Sequence, residues 1–70
     1  MRCLIVIEPT ASGYSAHSPD LDGCVAVGAT RDEVDTNFRE AIEFHVEGMR
    51  QEGLAVPAPS SYSTYVDIHA

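Results

Sequence analysis
The stretch Pro19–Glu33, PDLDGCVAVGATRDE, compresses a turn, a short apolar strand, a second turn and a helix start into one run. Every other hydrophobic segment must dock against that corner. Asp20, Asp22 and Gly23 supply turn chemistry, short polar side chains that bond nearby backbone and a residue free to take positive φ. Cys24–Val27 is apolar with β-branched residues at alternate positions, which suits a strand buried on at least one face. Gly28 breaks it. Thr30 then stands where a helix N-cap belongs, and Glu33 completes a T-x-x-E capping box.

The rest of the chain supplies partners for that corner. Arg2–Glu8 is apolar at nearly every position and precedes Pro9, so it reads as a strand covered on both faces, as in the centre of a sheet. Pro9–Gly13 is a link of about hairpin length. Gly13–Ser18 alternates, with Tyr14 and Ala16 on one side and Ser15 and His17 on the other, a half-exposed strand. Thr30 to about Glu52 is the long helix. Val34, Phe38, Ala41, Ile42, His45 and Met49 form its apolar stripe, and Gly53 with Leu54 behind it predicts a Schellman ending. Pro57 and Pro59 make Ala55–Ser61 an extended connection, and Tyr62–Ile68 has the aromatic and β-branched content of a last strand. The reading is one α+β domain over 1–70: β-β-β-α-β, an antiparallel meander, one helix packed on a single face, and a fourth strand.

Seventy residues bury only about 60% of the unfolded chain's surface, and one small core supplies about 3–5 kcal/mol, so self-association is a natural expectation. Eleven acidic residues against four basic ones leave a net charge of −7. That balance disfavours unaided nucleic-acid binding and favours a basic protein partner. Cys3 and Cys24 are too few for a disulfide framework, and no apolar run approaches the roughly 20 residues of a membrane span. A reduced, cytoplasmic protein is expected.

Catalytic chemistry finds little support. A two-metal nuclease needs acids converging from strands, yet Cys3–Ile7 is apolar, Asp20 and Asp22 sit in a turn, and the other acids lie mainly along the helix exterior. His17, His45 and His69 lack zinc-site spacing, and His45 reads as a core histidine. Gly23–Thr30 mimics the glycine spacing of a P-loop but carries Ala29 where the phosphate-binding lysine belongs. No nucleophile has a positioned base. We expect no enzyme, no cofactor and no metal. Association has better support: Phe44 and Val46 flank the apolar stripe, Gly48 tolerates a close backbone neighbour, and a last strand carrying Tyr65 would be a sheet edge open to another subunit. Phe44, Val46, Gly48 and Tyr65 are the candidate oligomer interface.

In order along the chain, Tyr14-x-Ala16, Pro19-Asp20-Leu21-x-Gly23-Cys24, Gly28-x-Thr30, Glu40-Ala41-Ile42, His45-Val46-Glu47-Gly48 and Pro57-x-Pro59 resemble the HicB-type antitoxin family. The resemblance implies a partial ribonuclease H-like fold without that enzyme's acidic centre. It also implies a homo-oligomeric antitoxin, a dimer or tetramer, that binds and blocks a small basic HicA-type RNA-cleaving toxin. Tyr14, His17 and Asp20, from the motif and the exposed strand side, are the candidate toxin contacts. Asp22 stands where the family often has proline. The C-terminal DNA-binding segment common in the family has no counterpart in these residues, so direct DNA binding is not expected from them. An oligomeric scaffold of the same fold without a toxin is the second expectation, and a residual metal-dependent nuclease the third.

Overall fold
The structure, a computed structural model, describes residues 2–69. Three strands, β1 (Val6–Pro9), β2 (Tyr14–Ser18) and β3 (Leu21–Gly28), form an antiparallel sheet in the order β1-β2-β3, and helix α1 (Arg31–Gln51) follows. The α+β class, the meander and the single helix are therefore as expected. Tyr14, Ala16 and Ser18 of β2 face the helix, and register brings Ile7 and Ala26 to the same side of Ala16. The opposite face carries Val6, His17 and Val25 in one cross-strand row, and Glu8, Ser15 and Val27 in the next.

The core is small. Ala16, Leu21, Cys24, Val34 and Phe38 are buried together, with Cys3, Ile5, Ile7, Tyr14, Ala41 and Ile42 packed around them. Phe38 and Val34 have no exposed surface, which places the first half of α1 against β2 and β3. The corner works as a packing device. Thr30 has extended backbone, φ −128° and ψ 165°, and its hydroxyl accepts the Glu33 N–H at 3.1 Å. A Cβ on Gly28 would lie 2.6 Å from the Val34 nitrogen, so only glycine lets the helix start this close to the strand. The glycine spacing that resembles a P-loop thus serves helix–strand packing. At the other end Leu54 N–H donates to the Met49 carbonyl at 2.8 Å and Gly53 N–H to Arg50 at 3.1 Å, with Gly53 at φ 72°. That is the Schellman arrangement.

Three expectations need correction. The first strand begins at Val6 rather than Arg2, and it lies at the sheet edge rather than its centre. Beyond the pair Val6↔His17, its next partners would be Ser18 and then Pro19, which has no N–H to give a ladder and opens the turn. The third strand is longer than Cys24–Val27. Ser18 pairs with Leu21 and His17 with Val25, so Asp22, Gly23 and Cys24 bulge out opposite no partner, with Gly23 at φ 78°. Finally, residues 54–69 carry no regular secondary structure, so Tyr62–Ile68 is not a fourth strand of this single chain. Its first residues, Tyr62 and Ser63, line an open groove across from Arg2–Ile5.

Candidate functional site
The carboxylate of Asp20, in the β2–β3 turn, is aimed at the chain beyond the helix. Asp20 Oδ1 accepts the Ser61 hydroxyl at 2.9 Å and the Ser61 backbone N–H at 3.2 Å, with Ser60 N–H and hydroxyl at 3.4 and 3.3 Å. The Ser61 hydroxyl above all holds its pKa below the ordinary 3.8, partial desolvation opposes this, and the amides of Ser60 and Ser61 add to the lowering. Asp20, a candidate toxin contact, thus holds the chain beyond the helix through Ser60 and Ser61. Beneath it, buried Ser18 accepts the Asp20 N–H at 3.3 Å and lies 3.0 Å from the Cys3 thiol. Cys24 is a buried free thiol, its pKa raised by burial and by the nearby Cys3, which suits the small-hydrophobe role expected of it.

The other two candidate contacts part company. Tyr14 is half-buried on the helix side, against the core. His17 is exposed on the outer sheet face between Val6 and Val25. Val25 and Val27 on that face are 68% and 70% exposed, so the strand expected to be buried on at least one face is covered on its Cys24 and Ala26 side. The candidate interface residues are equally scattered. Phe44 is 84% exposed on the helix exterior, Val46 is half-buried, a Cβ on Gly48 would meet nothing within 4 Å, and Tyr65 is 98% exposed. Ser60 and Ser61 were not singled out from sequence. Their only local signal is the Pro57-x-Pro59 run ahead of them, because their partner lies far up the chain.

Electrostatics divide the surface. Glu33, Glu40, Glu43 and Glu47 are all exposed on the outer side of α1, with Phe44 among them. Arg39 is engaged with Asp35 at 3.1 Å, an exposed i, i+4 pair worth about 0.3–0.5 kcal/mol. Among the described residues, no three His, Cys, Asp or Glu side chains are placed to share a metal ion. No helix among them is long and apolar enough to cross a membrane.

The framework is a three-stranded meander backed by one helix whose outer side is acidic. The family follows from comparison. Residues 3–69 match the model of the HicB-like antitoxins of bacterial toxin–antitoxin systems, and the chain belongs to that family. It is similar to a 14.9 kDa protein from the rep-hol intergenic region of Haemophilus phage HP1 (strain HP1c1), 36% identical over 90% of this chain and 47% of that one. It is also 40% identical to a UPF0150 protein of Helicobacter pylori (strain J99), over 71% of this chain and 69% of the relative. The chain thus spans about half the length of the phage protein. Among solved structures, a chain of a HicA3–HicB3 toxin–antitoxin complex superposes with a TM-score of 0.69 at 32% identity, covering 84% of this chain and 72% of that one. A HicB3 antitoxin structure gives 0.66 at 36% identity, over 79% and 40%.

Proposed function
We propose that this chain neutralises a small basic HicA-type RNA-cleaving toxin by direct binding in the cytoplasm, and breaks no bond itself. The observation that carries this reading is the likeness of nearly the whole chain to a chain of a HicA3–HicB3 complex. The net charge of −7 supports it physically: an acidic module attracts a protein whose surface must be basic to hold RNA. His17, flanked by Val6 and Val25 on the open sheet face, is the contact of the three candidates with its side chain free for a partner. Tyr14 supports that sheet from behind, and Asp20 holds the neighbouring segment. Co-expression with a HicA-type toxin is the test. Rescue of growth, co-purification, and binding that weakens as salt rises are the expected results. Persistent toxicity with no complex would overturn the proposal, and Mg²⁺- or Mn²⁺-dependent cleavage of an RNA–DNA hybrid would overturn its non-catalytic half.

A further inference from the structure
Two open surfaces of the molecule meet along one seam. Strand β3 ends the sheet, and on its outward side Val25 and Val27 stand clear of the core. The Asn37 side-chain amide donates to the Val27 carbonyl at 2.9 Å, which fixes the flank of α1 that lies along β3. Glu33, Asn37, Glu40 and Phe44 stand at i, i+4, i+7 and i+11, so they form one stripe down that flank. Glu33 and Glu40 are exposed, and Phe44, two turns beyond Asn37, is 84% exposed. An apolar strand margin thus runs beside a stripe holding two carboxylates and an aromatic ring.

Positive charge is kept away from this seam. The four basic residues are all arginines. Arg2 lines the groove beside Leu4 and Ile5, ahead of β1. Arg31 shares a hollow with Ile7 of β1, Asp32 and Asp35, and Arg39 is held by that same Asp35. Arg50 lies with Glu43 and Glu47 near the helix end. Among the described residues, Glu33 and Glu40 have no ion-pair partner. A ring in water beside unpaired carboxylates does nothing for the isolated domain. A partner that brings guanidinium or ammonium groups satisfies both, because such a cation pairs with Glu40 while stacking on the Phe44 ring.

We propose that the β3–α1 seam receives the basic, RNA-holding side of the toxin, with Phe44 as anchor and Glu33 and Glu40 as charge partners. This rests on the neutralisation proposed above and adds the surface that performs it. A toxin seated there has the surface it needs for RNA already occupied. His17 pairs across the sheet with Val25, so it borders the same seam. A second copy of this chain is the poorer occupant, since it would bring another charge of −7 against carboxylates that lack cations. Nucleic acid is repelled for the same reason.

Calorimetric titration of the full chain with the HicA-type toxin of the co-expression test, at low and high salt, decides this. Phe44→Ala should weaken binding by about tenfold or more, the loss expected of an aromatic anchor. Glu40→Lys should weaken it about as much and flatten its salt dependence. Asp35→Lys makes the same change in net charge on the β1 side of the helix and should weaken binding by less than about threefold. None of the three side chains is buried, so helix circular dichroism should stay unchanged. A wild-type chain that fails to bind would remove the neutralisation reading together with the seam. A wild-type chain that binds, with Phe44→Ala and Glu40→Lys binding as tightly, would overturn the seam alone. Equal losses from Asp35→Lys and Glu40→Lys would also overturn it, by reducing the effect to net charge. So would a Phe44→Ala chain that loses self-association in sedimentation yet keeps the toxin, which would give the seam to a second copy.

Discussion
The Asp20 carboxylate accepts both the hydroxyl and the backbone N–H of Ser61, at 2.9 and 3.2 Å, across 41 residues of sequence. This contact ties the β2–β3 turn to the chain after the helix, and it is titratable. The folded pKa lies below 3.8, so the clasp is fully formed above the unfolded value and is lost as pH falls through the folded one. In an NMR titration the Ser60 and Ser61 amides should shift together with a midpoint below 3.8. Asp20→Asn should abolish that titration while leaving the helix signal intact, because the clasp orders a segment and not the core. A midpoint at or above the ordinary value would show that the contact does not persist in solution.

Gly28 and Val34 set how closely β3 and α1 approach. A Cβ at Gly28 would meet the Val34 nitrogen at 2.6 Å and its Cα at 2.8 Å, and backbone atoms cannot swing aside as a flexible side chain could. Gly28→Ala should therefore push the helix start away from the sheet, at about 1–3 kcal/mol. In a domain of this size each kcal/mol lowers the melting temperature by about 4–8 °C. An alanine variant that melts with the wild type would mean the corner is looser than its geometry.

Phe38 is fully buried at the centre of the core. Phe38→Ala removes a ring whose loss costs about 3–5 kcal/mol, comparable to all that a core of this size supplies. The variant should be largely unfolded by circular dichroism at room temperature, and Phe38→Leu should keep the fold with a lower melting point. A cooperatively folded Phe38→Ala protein would require stabilisation from outside this core.

Sequence disclosed the parts of this fold whose causes are local. Thr30 and Glu33 mark the helix start because the cap bond spans three residues, and Gly53 and Leu54 mark its end for the same reason. The Tyr14–Ser18 alternation announces its two faces because side chains alternate along any strand. What sequence did not disclose depends on distant partners. Nothing near Asp20 points to Ser61, and the apolar run Cys3–Ile7 gives no sign that pairing stops at Val6. The run looked central because apolar residues on both faces suit either a covered strand or an edge awaiting a neighbour. Tyr62–Ile68 was misplaced for a related reason: strand composition states a preference for pairing and leaves the partner unspecified. The alternation that sets His17 outward has no counterpart in the Cys24–Val27 run, since valine alone does not tell which face of β3 is covered.

Gly48 lies in the second half of α1, where a glycine costs about 1 kcal/mol relative to alanine in backbone entropy. Two accounts of its presence give opposite results. If it exists to admit another backbone, as its place among the candidate interface residues implies, a methyl group should weaken association. If no backbone approaches there, the methyl group enters open space, for a Cβ meets nothing within 4 Å in the single chain. Gly48→Ala should then raise stability by about 1 kcal/mol, and the melting temperature by about 4–8 °C, with sedimentation unchanged. Measuring melting and sedimentation on the same variant separates the accounts. A higher melting point with unchanged self-association leaves the helix exterior around Gly48 open, whereas weaker self-association places a subunit contact on Phe44, Val46 and Gly48.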